Sequence, residues 1–190
     1  MSTTIRWNGT HIKTAASNVA ELKITIAEAI AESFIEGPEY TVMIVGSHYQ
    51  PEFAKIYPPV ERVFHASLPE QEKFLSFDRL WEIYEEEAPM PQEENFYEYA
   101  VSSDTTQMSI QKVAWDAYVA VGGMGYTRVD VRIDKNTGTP YVLEVNAQCG
   151  ISEDENFTSI GAILRYANQS FTELIIHIIN DAFARRRKLN

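Results

Sequence analysis

The chain has 190 residues, of which 45% are apolar, enough for one globular domain with a packed core. Its formal net charge of -11 argues against nucleic acid as a partner, because phosphate binding needs clustered Lys and Arg. Since no apolar run has membrane-spanning length and Cys149 is the single cysteine, we expect a cytoplasmic protein with no membrane partner and no disulfide framework.

The first predicted elements are a helix, a break and two strands. Asn18 and Glu21 resemble a capping box, and apolar residues at helical spacing predict a helix over about residues 18 to 32. After the break at Gly37-Pro38, β-branched residues predict a strand over 39–45 and another over 60–66. Residues 82–98, rich in Glu and interrupted by two prolines, indicate a solvated loop, with a mobile flap over a site as the alternative.

A long amphipathic helix follows from about Thr105. It carries one apolar stripe that runs from Ile110 to Val121, and the glycine-rich segment 122–125 comes directly after it. A phosphate-binding glycine loop would have the order strand, glycines, helix. Here the helix precedes the glycines, so they are better explained as its C-terminal cap.

Two alternating strands are predicted next, over 126–134 and 140–147, joined by the turn 135–139. Residues of equal parity in a strand share one face of the sheet. Strict alternation therefore predicts that each strand contributes one apolar row to the core: Val129, Val131 and Ile133 from the first, and Tyr141, Leu143 and Val145 from the second.

The opposite face of this hairpin is polar. The antiparallel register that buries both apolar rows and fits the short turn places Asp130 opposite Glu144 and Arg128 opposite Asn146. Carboxylate and amide oxygens suit Mg²⁺, which commonly shares its coordination with substrate phosphates, and a neighbouring arginine can bind phosphate oxygens. The alternative is a half-exposed hairpin whose charges form only cross-strand ion pairs.

The rest of the chain predicts a polar loop over 148–156, a short helix over about 158–167, and a C-terminal helix. Ser170 and Glu173 form a second capping box at the start of that last helix. The basic residues 185–188 suit its negative C-terminal end. Together the elements indicate a mixed α/β fold with antiparallel pairing.

Several segments, taken in order, resemble ATP-grasp ligases of the D-alanine–D-alanine ligase type. They are Phe34-Ile-Glu-Gly-Pro-Glu-Tyr-Thr-Val42, Gly125-Tyr-Thr-Arg-Val-Asp130, and Leu143-Glu-Val-Asn146 with Gly150. The resemblance implies an α/β (α+β) fold, the ATP-grasp C-terminal subdomain, in which helices pack an antiparallel-rich sheet. It further implies a truncated central lid over residues 1–47 and the catalytic subdomain over 48–187.

Ligases of this type use ATP to phosphorylate a carboxylate, and an amine then attacks the acyl phosphate. By resemblance, Asp130, Glu144 and Asn146 would bind two Mg²⁺ ions, with Mn²⁺ as a substitute. Arg128 would contact the transferred phosphoryl group, and the backbone amide of Gly150 would help to hold the oxyanion. The implied partners are a small-molecule carboxylate and a small-molecule amine, and a homodimer is left open.

The nucleotide contacts implied by the resemblance lie earlier in the chain. Glu39 would bind the ribose hydroxyls, while Glu32 and the backbone of Ile35 would bind the adenine edge. Read without the resemblance, Glu39 is simply an exposed residue at the start of a strand.

The chain also departs from this family. Ser33 stands in place of a lysine, Cys149 in place of a proline, and the acidic segment 153–155 would repel a substrate carboxylate. We therefore expect a truncated ligase, weakly active or inactive alone. A catalytically inactive ATP-grasp-like module that binds Mg-nucleotide or a protein partner is the second hypothesis. A plain α/β structural module is the third.

Overall fold

A computed structural model describes residues 3–7, 10–14, 30–75, 95–154 and 158–188. In these ranges the chain forms nine strands and three α-helices. The strands are β1 (Thr3–Trp7), β2 (Thr10–Thr14), β3 (Ile30–Ser33), β4 (Glu39–Val45), β5 (Lys55–Ile56), β6 (Val60–Phe64), β7 (Tyr97–Val101), β8 (Tyr126–Ile133) and β9 (Pro140–Ala147). The helices are α1 (Asp104–Ala120), α2 (Ser159–Tyr166) and α3 (Phe171–Lys188).

The chain forms two compact units. The first comprises Met1–Glu36 and Phe64–Tyr97, and the second comprises Gly37–Val63 and Glu98–Asn190. The predicted boundary between a lid over 1–47 and a catalytic subdomain over 48–187 stays a prediction.

The first unit contains an antiparallel sheet in the order β2-β1-β3. Because Ile30–Ser33 pairs with β1, the helix predicted over 18–32 is wrong at its C-terminal end, and residues 18–29 lie outside the described ranges. Strand pairing with a distant segment decided the conformation of these residues, and helical spacing alone does not report such pairing.

The second sheet has the order β7-β6-β4-β8-β9, with β5 paired to β4. Strand β4 is buried along its whole length and therefore contributes to two cores. Tyr40, Val42 and Ile44 pack with α1, whereas Met43 and Val45 pack with α2 and α3. Alternate side chains of one strand point to opposite faces, so helices cover both faces of this sheet.

The predicted helix ends are confirmed. After α1, the amide of Gly123 donates to the Tyr118 carbonyl at 2.8 Å, and Gly122 adopts a left-handed φ of 69°, as a glycine cap requires. At α3, the Glu173 carboxylate accepts from the Ser170 amide at 2.7 Å, and the Ser170 hydroxyl accepts from the Glu173 amide at 3.2 Å. Both features are local in sequence, which is why sequence patterns predict them well.

The predicted strand over 39–45 is confirmed, and the one over 60–66 is confirmed as Val60–Phe64. Within the predicted loop over 82–98, residues 82–94 lie outside the described ranges, while Tyr97 and Glu98 belong to β7. The mixed α/β class with antiparallel pairing is confirmed. Among the described helices, none is both long and apolar enough to cross a membrane.

Candidate functional site

One face of the second sheet carries a polar patch arranged in three cross-strand rows. Because directly opposite residues share a face, the rows follow from the strand registers. The first row is Arg62, Glu39, Arg132 and Tyr141; the second is Val60, Thr41, Asp130 and Glu144; the third is Met43, Arg128 and Asn146. Successive rows are two residues apart along β4 and β8, about 7 Å, whereas Tyr141 and Glu144 of β9 are three residues apart. Beyond Met43 the same face becomes the apolar core under α2 and α3.

The predicted hairpin register is confirmed at the polar patch. Asp130 pairs with Glu144, and Arg128 pairs with Asn146. The register shifts by one residue between Asp130 and Val131, so that Leu143 is the extra residue of a β-bulge.

The bulge corrects one part of the prediction. Tyr141 and Leu143 were expected on the core face, but they are 42% and 38% exposed, and the partly buried Val142 and Val145 pack on the α1 core instead. Val142 and Val145 are three residues apart, so in a regular strand their side chains would point to opposite faces. They share one face because the bulge adds a residue between them. The bulge therefore buries both valines while it keeps Glu144 on the polar face.

Arg128 is the centre of the second and third rows. Its Nε donates to Asp130 Oδ1 at 3.0 Å, and its Nη2 donates to Asp130 Oδ2 at 2.9 Å and to Glu144 Oε1 at 3.3 Å. Burial lowers the pKa of the Arg128 guanidinium, but the Asp130 charge and hydrogen bonds outweigh it and raise the pKa overall. Asn146 Nδ2 lies 3.4 Å from Glu144 Oε1. One guanidinium thus engages both carboxylates of the predicted metal site, and its contact with Glu144 is a cross-strand ion pair of the kind that the alternative expected.

Glu39 lies in a buried ion-pair network of the first row. Its Oε1 accepts from Arg62 Nη1, and its Oε2 accepts from Arg132 Nη2 at 2.6 Å. The three side chains are only 3–5% exposed. Both oxygens of the Glu39 carboxylate thus already accept hydrogen bonds from arginines. Its predicted role in binding the ribose hydroxyls stays a prediction.

Gly37 sets the register that builds this network. Its φ is 144°, and a Cβ on it would lie 2.0 Å from the carbonyl oxygen of Ile133, so no other residue fits there without displacement. The Ile133 amide donates to the Pro38 carbonyl at 3.0 Å. This close approach of the segment before β4 to β8 places Glu39 directly opposite Arg132.

Thr41 lies in the middle of the patch and is 1% exposed. Its Oγ1 has no hydrogen-bond partner among the described residues. A buried hydroxyl in this condition costs about 1–3 kcal/mol of stability. Its cross-strand neighbour is Asp130, so an unsatisfied hydrogen-bonding group lies beside the predicted metal ligand.

The residues of the patch fit a hard divalent cation. Asp130 and Glu144 supply carboxylate oxygens, Asn146 supplies an amide oxygen, and Thr41 adds a hydroxyl that has no hydrogen-bond partner in the described part of the chain. Within the described ranges, no group of three or more His, Cys, Asp or Glu residues could hold a metal ion. The ligand set is therefore incomplete as a protein cage, and it suits Mg²⁺, which keeps water and phosphate ligands.

The loop after β9 positions two further residues. Gln148 has a left-handed φ of 58°, after which Cys149 is buried at 3% exposure and Gly150 is exposed. Burial raises the pKa of the Cys149 thiol, and the Arg128 charge opposes that shift only in part. A Cβ on Gly150 would meet no atom within 4 Å, so packing does not require glycine there. Its predicted oxyanion role stays a prediction.

The predicted adenine contacts belong to the first unit. Glu32 lies in β3, and its side chain is outside what the structure describes. Ile35 follows β3 in a half-buried segment. Arg128, Asp130, Glu144 and Asn146 are thus brought together, Glu39 lies one row away, and Glu32 and Ile35 belong to the other unit.

Sequence reasoning missed Arg62 and Thr41 and did not assign a role to Arg132. Arg132 has the parity of Arg128 and Asp130, and this was a usable signal. Arg62 reaches Glu39 only through the β4–β6 register, which the sequence does not set locally. Thr41 reads as an ordinary β-branched strand residue, and its significance comes from the missing hydrogen bond.

Comparison with known proteins gives consistent similarities. A family model described as the D-ala D-ala ligase C-terminus matches residues 10–180. D-alanine–D-alanine ligases of Ralstonia nicotianae and Ralstonia pickettii are 29% and 27% identical over 147 and 177 residues, which are 73% and 89% of this chain. The D-alanine–D-alanine ligase structure from Bacillus anthracis superposes with a TM-score of 0.69 at 18% identity, covering 100% of this chain and 56% of that one.

The same Bacillus anthracis enzyme complexed with ATP gives a TM-score of 0.67 at 18% identity, covering 100% of this chain and 55% of that one. At such identity the structural similarity concerns the fold alone. The chain spans 39% and 47% of the lengths of the two Ralstonia ligases.

Proposed function

The chain belongs to the family of D-alanine–D-alanine ligase C-terminal domains, and we propose that it carries the Mg-ATP face of a carboxylate–amine ligase. One observation supports this proposal above the others: Asp130, Glu144, Asn146 and Arg128 share one face of the hairpin, with Asp130 opposite Glu144 and Arg128 opposite Asn146. The ATP complex of the Bacillus anthracis ligase, which has the same fold, also favours a nucleotide as ligand. The proposed location is the cytoplasm.

In the proposed loaded state, Asp130, Glu144 and Asn146 would hold two divalent cations, which would replace the contacts of the two carboxylates with the Arg128 guanidinium. Mg²⁺, or Mn²⁺ in its place, would neutralise the phosphate charge and support in-line transfer to a carboxylate. Arg128 would then be available to contact oxygens of the transferred phosphoryl group. The Gly150 amide would donate to the oxyanion that forms when an amine attacks the acyl phosphate.

This exchange gives the ion pairs a function. In the free chain the single positive charge of Arg128 reduces the repulsion between two carboxylates on adjacent strands. A divalent cation brings more charge to the same oxygens, and a nucleotide phosphate offers Arg128 a new anionic partner. Cation and nucleotide binding should therefore depend on each other.

The second candidate is a Mg-nucleotide-binding module without turnover. It is favoured by Ser33, which is exposed and stands where the family resemblance expects a lysine. Phosphoryl transfer depends on several positioned cations, so the loss of one lowers rate more than it prevents binding. Formation of ADP with a panel of small carboxylates and amines would support the ligase, and binding without ADP formation would support the module.

Calorimetric titration of ATP with Mg²⁺ tests the proposed site. We expect binding that requires Mg²⁺ and that falls at least tenfold in Asp130→Ala and Glu144→Ala, because each substitution removes a charged ligand. Asp116→Ala, which removes an exposed carboxylate from α1, is the control and should bind as the wild type does. Equal heats in all four proteins would refute the site.

A further inference from the structure

We propose that Thr41 is a positioning residue of the site: its hydroxyl takes over from Arg128 as the donor that holds the Asp130 carboxylate when cation and nucleotide bind. The inference rests on the proposed Mg-nucleotide function of the same sheet face. It adds Thr41 to the site and specifies that Thr41 replaces Arg128 as the hydrogen-bond donor to Asp130.

In the free chain Arg128 holds the Asp130 carboxylate. Its two carboxylate oxygens accept from the Nε and Nη2 of Arg128, at 3.0 and 2.9 Å. These bonds hold the side chain in one orientation. If Arg128 turns to a phosphate, Asp130 loses both donors at the moment when its orientation must suit a cation.

The position of Thr41 in the sheet suits this role. Thr41 is the direct β4 neighbour of Asp130 on the polar face. Directly opposite Cβ atoms lie about 4.5–5.5 Å apart, so a hydroxyl and a carboxylate that extend from them come within hydrogen-bond reach. The other side of Asp130 faces Glu144 on β9, which offers only carboxylate oxygens.

Thr41 lowers the stability of the free chain. Its hydroxyl is fully buried and has no partner among the residues that the structure describes. Valine has nearly the same shape, favours strands equally and would bury no polar group. A hydroxyl that brings no hydrogen bond to the free fold suggests a role in the bound state.

Thr127 provides a matched comparison on the next strand. It is also 1% exposed, but its hydroxyl donates to the Asn146 carbonyl at 3.0 Å. Removing this hydroxyl breaks a bond that exists in the free chain. Thr127 therefore serves as an example of a hydroxyl that stabilises the free fold, against which the proposed role of the Thr41 hydroxyl in binding can be tested.

The experiment compares Thr41→Val, Thr41→Ser and Thr127→Val with the wild type. Two quantities are measured: the thermal midpoint of the free protein, and the Kd for Mn²⁺ with a non-hydrolysable ATP analogue, from the electron paramagnetic resonance of free Mn²⁺. Thr41→Val should keep or raise the midpoint and weaken binding about tenfold, the effect of one hydrogen bond to a charged group. Thr41→Ser should bind within about threefold of wild type, since it keeps the hydroxyl. Thr127→Val should lower the midpoint and leave Kd within about threefold.

The outcomes distinguish the inference from the function on which it rests. Wild type that binds no Mn²⁺-nucleotide overturns the proposed function and, with it, the role of Thr41. Wild type that binds, with Thr41→Val binding equally well, overturns the role of Thr41 alone. A midpoint lowered in Thr41→Val as much as in Thr127→Val, with Kd unchanged, would show that the hydroxyl serves only the fold.

Discussion

Replacing Glu39 with Ala should destabilise the chain far more than replacing an exposed acidic residue with Ala does. The substitution removes the carboxylate that both Arg62 and Arg132 contact, and all three side chains are at most 5% exposed. Breaking a buried ion pair by removing one partner costs about 3–5 kcal/mol. Because domains of this size are typically stable by about 5–15 kcal/mol, this loss is a large share of the total.

Urea unfolding followed by circular dichroism measures the effect. At a slope of about 2 kcal/mol per molar urea, a loss of about 4 kcal/mol moves the midpoint down by about 2 M. Asp116→Ala serves as the control, since its partner Lys112 is 78% exposed and such pairs contribute at most about 1 kcal/mol. A Glu39→Ala midpoint within about 0.5 M of the control would refute the buried network.

Two further predictions follow from packing. Cys149 should react with a disulfide reagent much more slowly in the folded chain than in urea, because it is buried and burial raises the pKa of its thiol. The rate should rise with pH over a higher range in the folded chain than in urea, since the thiolate forms only at higher pH, and equal rates in both states would contradict the burial of Cys149. Gly123→Ala should cost about 1–3 kcal/mol, since its Cβ would lie 2.1 Å from ring atoms of Tyr118. Gly150→Ala, with no atom within 4 Å, should change unfolding by less than about 0.5 kcal/mol, and equal losses in the two variants would contradict this account.

The sequence predicted those parts of the fold that depend on neighbouring residues. The glycine cap after α1 and the Ser170–Glu173 capping box are local, and both are confirmed. The pairing of Asp130 with Glu144 was also within reach, because parity and a short turn leave few registers.

The predictions that were wrong concern residues whose conformation depends on contacts with residues distant in the sequence. Ile30–Ser33 is a strand because β1 pairs with it, although its spacing is helical. The bulge at Leu143 arises because Val142 and Val145 both pack on the α1 core, and a segment with four apolar residues from Tyr141 to Val145 has no parity signal to reveal this. The burial of Glu39 depends on Arg62, which lies 23 residues away in the chain.

Paramagnetic broadening by Mn²⁺ is the most direct test of a Mg-nucleotide site on this sheet face. With ¹⁵N-labelled chain, ATP and substoichiometric Mn²⁺, the amide signals of Asp130, Glu144 and Asn146 should disappear first. Those of Lys112 and Asp116, exposed on the helix that covers the opposite face, should persist. Loss of the α1 signals before those of β8 and β9, or no selective loss at all, would contradict the account.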